Sequence, residues 1–144
     1  MEKEFVPYEQ ALALKELGFD EICFLEVLCT GHLYFCNGDY AMYETKKGKY
    51  KNIKYKYDTP KEHVRIKVPT FSQAFRWFRE KYGYFTSPTE SDDDISKKYD
   101  WLISKNLGES KMFIQFIGYR DSYEEAELEC LKKLIEIVKE KQNG

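Results

Sequence analysis

A chain of 144 residues, 42% hydrophobic and 33% charged, fits one globular domain and is long enough to bury roughly two-thirds of its unfolded surface. A net charge of −2 excludes a polycation that binds nucleic acid over its whole surface, so any such binding has to come from a local patch. No apolar run approaches the length of a membrane span, and Met1-Glu2-Lys3-Glu4 does not read as a secretory leader, so the expected compartment is the cytoplasm.

The first predicted helix follows Val6-Pro7 and runs through Glu9 to Leu17. Gly18 supplies a left-handed stop, and Phe19 is placed to fold back on the last turn. Strand-like sequence follows. Ile22 to Cys29 is largely apolar, with Glu26 its one charge, and Thr30-Gly31 leads into His32 to Cys36. Asn37-Gly38 is a strong hairpin signal before Asp39 to Thr45. Lys47-Gly48 turns the chain again toward Lys49 to Tyr57, and Val64 to Val68 is a short extended segment ended by Pro69.

Thr70 with Gln73 opens a second helix as a capping box. Phe71, Ala74, Phe75, Phe78 and Tyr82 mark its buried stripe, Gly83 ends it, and Arg76 and Arg79 lie on its outer side. Tyr84 to Thr86 reads as a strand. Thr86 to Asp100, with Ser87-Pro88 and the acidic run Asp92-Asp93-Asp94, reads as a loop, and the Ile95, Tyr99, Leu102 spacing predicts a short helix over Ser96 to Ser104. Met112 to Tyr119 is a strand. Ser122 with Glu125 caps a third helix whose apolar face is Leu128, Leu131, Leu134, Ile135 and Val138. Acids gather at its start and lysines at its end, matching the helix dipole. This order predicts one α+β domain over residues 1–144: a mostly antiparallel sheet with about three helices on one face.

Few residues point to chemistry. Cys23, Cys29, His32 and Cys36 fall close together, but only Cys29 and His32 have zinc-like spacing, and apolar strand sequence explains the cysteines as core residues; no metal or cofactor is expected. Asp92 to Asp94 lacks the alternate ligands and glycine of a calcium loop. His32 and His63 have no nucleophile or orienting acid beside them, and there is no phosphate-binding glycine loop. Glu26 is the one carboxylate whose apolar setting suggests a perturbed pKa, and a strand-edge or solvent-facing position is the better explanation of it. Sites assembled from distant residues are invisible at this level, so catalysis is unsupported rather than excluded.

Tyr43 to Tyr57 stands out: it holds six lysines and four tyrosines in fifteen positions, against a single glutamate. Cations for phosphate and rings for stacking suit nucleic acid, exposed tyrosine suits a protein interface, and lysines also guard ordinary strand edges. Alternation sets Ile53, Tyr55 and Tyr57 opposite Lys54 and Lys56. If those tyrosines face the core, no stacking platform is left. The candidate contact residues are Tyr43, Lys46, Lys47, Lys49, Tyr50, Lys51, Lys54 and Lys56, extended by Arg76 and Arg79.

The segments Val6–Glu21, Ser72–Gly83 and Tyr123–Lys141 together resemble a group of small proteins carried by phages and prophages of Bacteroidota-type bacteria. The resemblance covers the three helices, and it carries over no catalytic residue. It implies a phage accessory protein in the bacterial host cytoplasm, of the kind that binds host defence components. The expectation is a non-enzymatic protein that binds a host protein as an inhibitor of antiviral defence, in the manner of an anti-CRISPR. The alternative is a nucleic-acid or nucleotide-binding module using residues 43–57. The sequence leaves oligomeric state open.

Overall fold

The computed structural model describes residues 4–23, 25–28, 33–35, 40–44, 50–54, 65–90 and 98–144. In chain order these form α1 (Tyr8–Glu16), β1 (Leu25–Leu28), β2 (Leu33–Phe35), β3 (Tyr40–Glu44), β4 (Tyr50–Lys54), β5 (Arg65–Val68), α2 (Phe71–Tyr82), β6 (Phe85–Glu90), β7 (Tyr99–Gly108), β8 (Lys111–Phe116) and α3 (Tyr123–Asn143). The class is α+β, and every described strand pair is antiparallel. Pairing is spread over three small sheets, ordered β2-β1-β5, β3-β4 and β6-β7-β8. The chain divides into two compact units, Phe5–Thr70 and one that contains Phe71–Gly144.

In the first unit α1 starts beyond Pro7, which sits at the N-cap with φ −59° and ψ 153°. Its stop is the predicted one. Gly18 turns left-handed at φ 93°, Gly18 N–H bonds the Lys15 carbonyl at 3.0 Å, and Phe19 N–H bonds that of Leu14 at 2.9 Å. Phe19 is thereby buried with Ala11, Leu14, Leu17, Ile66 and Val68, where α1 packs on β5. Lys67 on β5 binds Asp20 at 2.7 Å and holds that carboxyl below its ordinary range. The register puts Glu26 opposite Lys67.

In the second unit α2 and α3 pack on each other and on one face of the β6-β7-β8 sheet. Phe71, Ala74, Trp77 and Phe78 from α2 and Ala126, Cys130, Leu131, Leu134, Ile135, Ile137 and Val138 from α3 supply the helical side of the core. Trp101 and Ile103 supply the strand side. Ser122 caps α3 as predicted, its Oγ accepting from Glu125 N–H at 3.1 Å.

The helix predicted over Ser96 to Ser104 is overturned, because residues 99–108 are the central strand. The Tyr99 to Leu102 spacing fits a helical face. However, the competing alternation of Tyr99, Trp101 and Ile103, all aromatic or β-branched, fits a half-buried strand and prevails once α3 covers that side. The predicted loop around Ser87-Pro88 is likewise strand. β6 is an edge, and its register with β7 turns the Pro88 nitrogen away from the ladder, where a missing N–H costs nothing.

Candidate functional site

The predicted contact residues fall in two places. Tyr43 lies on β3 and Tyr50, Lys51 and Lys54 on β4. Their register pairs Tyr43 with Lys51, Glu44 with Tyr50 and Tyr40 with Lys54, so the predicted hairpin forms over these strands. Lys46, Lys47, Lys49 and Lys56 lie outside the described residues, as do Cys29, His32, Cys36 and the Asp92 to Asp94 run. Arg76 and Arg79 are exposed on α2. Among the described residues no group of three or more His, Cys, Asp or Glu is placed to hold a metal ion. No described helix is long and apolar enough to cross a membrane.

A surface that the sequence reading did not single out lies on the second unit. Antiparallel register places Phe85 and Ser87 of β6, Leu102, Ser104 and Asn106 of β7, and Met112, Ile114 and Phe116 of β8 on the face opposite α2 and α3. Phe85 is 54% exposed, Met112 62%, Ile114 52% and Phe116 61%. These four side chains alone present on the order of 400 Å² of apolar surface, a size at which a patch is often functional. Thr89 and Asp100 share this face. Asp100 is buried, and its Oδ1 accepts from Trp101 N–H at 2.7 Å and Ile117 N–H at 3.1 Å. The exposed part of the face therefore carries no formal charge, as in the centre of a protein interface.

Among the described residues no strand pairs with the outer edge of β8 in the same sheet. Ile117 N–H bonds the Trp101 carbonyl at 3.1 Å, which fixes the alternation. Phe113 and Gln115 direct their backbone groups to β7, while Met112, Ile114 and Phe116 direct theirs away from it. Beside this edge runs a cleft of about 270 Å³ between Gln115, Phe116, Ile117 and Arg120 on one wall and α3 on the other.

Three lysines of this unit are engaged with aromatic rings. Lys105 Nζ and Lys141 Nζ stand 4.8 and 5.2 Å from the Tyr84 ring centre, and Lys81 lies over Trp77 at 4.9 Å. Tyr84 is 1% exposed, so this cluster is packing with cation–π support and offers no ring to a base.

A carboxylate with a raised pKa occurs at Glu127 on α3. Burial first, then the charge of Glu124, moves it from an ordinary 4.5 to about 7. Burial likewise raises Tyr123 and Cys130, with Glu127 adding to both. Because the folded value exceeds the unfolded one, the stability that protonated Glu127 confers is full below about pH 4.5 and is lost as pH rises through about 7. Glu127→Gln is expected to flatten that part of the profile. With allowance for solvent screening, it should stabilise the protein by on the order of 1 kcal/mol above pH ~8, read as a shift in urea midpoint across a pH series.

No protein-family model, curated protein or solved structure matches this chain.

Proposed function

We propose that this chain is a protein-binding module that docks its partner on the outer face of the β6-β7-β8 sheet. The observation that carries this reading is that face itself, where Phe85, Met112, Ile114 and Phe116 stand exposed with no charge among them. In the phage setting implied by the resemblance of its helices, the partner is a host protein. Binding takes place in the bacterial cytoplasm, and its effect is inhibition of antiviral defence. Arg76 and Arg79 extend from the same unit, and the β3-β4 hairpin with residues 43–57 is a second contact element.

Capture from host lysate tests the reading with three proteins: the parent, Phe85→Ser/Phe116→Ser, and a hairpin variant with Lys46, Lys49, Lys51, Lys54 and Lys56 changed to Glu. The expected result is one protein retained by the parent from about 50 to 200 mM salt and lost from the double-serine variant. Nucleic acid retained at low salt, shed over that range and lost from the hairpin variant would transfer the function to the nucleic-acid alternative.

A further inference from the structure

The two exposed features of β8, its apolar outer row and its unpaired edge, meet at one strand. We propose that the cleft between β8 and α3 receives an extended segment of the partner protein, which adds to the sheet as a fourth strand and sets an acidic side chain on Arg120. This rests on the protein-binding reading above and names how the partner engages.

The backbone supplies the first argument. N–H and C=O groups of Met112, Ile114 and Phe116 point away from β7, and no strand among the described residues pairs with them. The Phe116 carbonyl is met by the Gln115 side-chain amide at 2.9 Å, a bond that an incoming strand's N–H can replace. Lys111–Phe116 reads Lys-Met-Phe-Ile-Gln-Phe, with one charge at its start and neither proline nor glycine to discourage pairing. β6, the opposite edge, has Pro88.

Charge supplies the second argument. On the α3 wall the cations are already matched: Lys132 pairs with Glu129 at 3.1 Å and Lys133 with Glu136 at 2.9 Å. Arg120 has no carboxylate among the described residues. Its Nη1 donates to the carbonyls of Gly118 at 3.3 Å and Tyr119 at 3.1 Å, after Gly118 turns the chain at φ 90°. Two backbone bonds with Tyr99, at 2.7 and 2.9 Å, fix the residue in place. A half-buried guanidinium so oriented keeps the rest of its donor fork for a carboxylate.

Strand geometry then specifies the occupant. Side chains of an added strand alternate, so one set extends the Met112, Ile114 and Phe116 row and is apolar. The other set lies over the cleft, where the unmatched cation selects an acid.

The probe is a fluorescently labelled, end-capped peptide alternating valine and glutamate, titrated with the full chain and followed by polarisation. Saturable binding is expected. Replacing glutamate by glutamine in the peptide, or Arg120→Gln in the protein, should weaken binding roughly tenfold or more. Ile114→Pro should abolish it while the sheet persists, because the N–H removed is not part of the β7 ladder. Methylating alternate peptide amides makes the same cut without altering the protein, so the test survives a variant that fails to fold.

Binding that is indifferent to both N-methylation and Ile114→Pro would show that no strand is added, and the proposal falls. It also falls if the peptide does not bind. A dimer that excludes the peptide and is broken by Ile114→Pro overturns it in favour of a second copy. If the peptide fails while Phe85→Ser/Phe116→Ser still loses the captured protein, strand addition is wrong and the docking face stands. If that variant also loses nothing, both readings fall.

Discussion

Phe78→Ala is expected to cost about 3–5 kcal/mol, whereas Phe116→Ala should change stability by less than about 1 kcal/mol. Both substitutions remove the same ring from the same unit. Phe78 is fully buried and meets Trp77 edge-on at 5.1 Å and Tyr82 at 6.0 Å, so truncation leaves a cavity between α2 and its neighbours. Phe116 already contacts water over most of its surface, and its loss leaves no cavity. Against a typical total of about 5–15 kcal/mol, the first change brings the protein close to unfolding. Urea midpoints of the two variants measure the contrast. A cost of several kcal/mol for Phe116→Ala would mean that this face is buried in solution, and the docking surface would be withdrawn.

Asp100→Ala is expected to destabilise by about 2–3 kcal/mol, and Asp100→Asn by about 1 kcal/mol. The carboxylate is buried where β7 meets the chain beyond β8, and it accepts two backbone N–H groups. Ile117 N–H keeps its second acceptor, the Trp101 carbonyl, when the side chain is removed. Trp101 N–H loses its bond to the carboxylate in a setting closed to water, so most of the cost arises there. Asparagine keeps an acceptor oxygen and gives up only the charge. Hydrogen exchange locates the effect: the Trp101 amide should speed up at least tenfold in the alanine variant and much less in the asparagine one. Equal costs for the two variants would show that packing, rather than the two bonds, explains the burial of Asp100.

How far the sequence reveals this architecture differs from element to element. α1 and α3 are legible because their ends are chemically marked. Gly18 adopts the left-handed turn that other residues resist, and Ser122 accepts the N–H of Glu125. β3 and β4 are legible from the turn signals that flank them. β7 is not, because Tyr99 and Leu102 satisfy a helical spacing as well as Tyr99, Trp101 and Ile103 satisfy a strand. Only α3 lying against one side of that strand separates the two.

The exposed apolar face is hidden in the sequence for a different reason. Met112 to Ile117 is apolar at nearly every position, so it shows no alternation, and a strand of that kind is expected to be covered on both sides. The structure covers one side of β8 and leaves Met112, Ile114 and Phe116 exposed. A strand with apolar residues on both faces is therefore the available signal for a surface. Charge such as that of the lysines in residues 43–57 is conspicuous in a sequence, whereas an uncharged surface is conspicuous only in three dimensions.

Pro88 gives the sheet a direction of growth. With one flank stoppered by a residue that has no hydrogen to donate, and the other ending in β8, the β6-β7-β8 unit has a valence of one. A sheet of valence one can cap another chain's strand but cannot relay it onward. Strand addition at this sheet should therefore close at a one-to-one stoichiometry, and an edge as apolar as β8 need not seed a fibre.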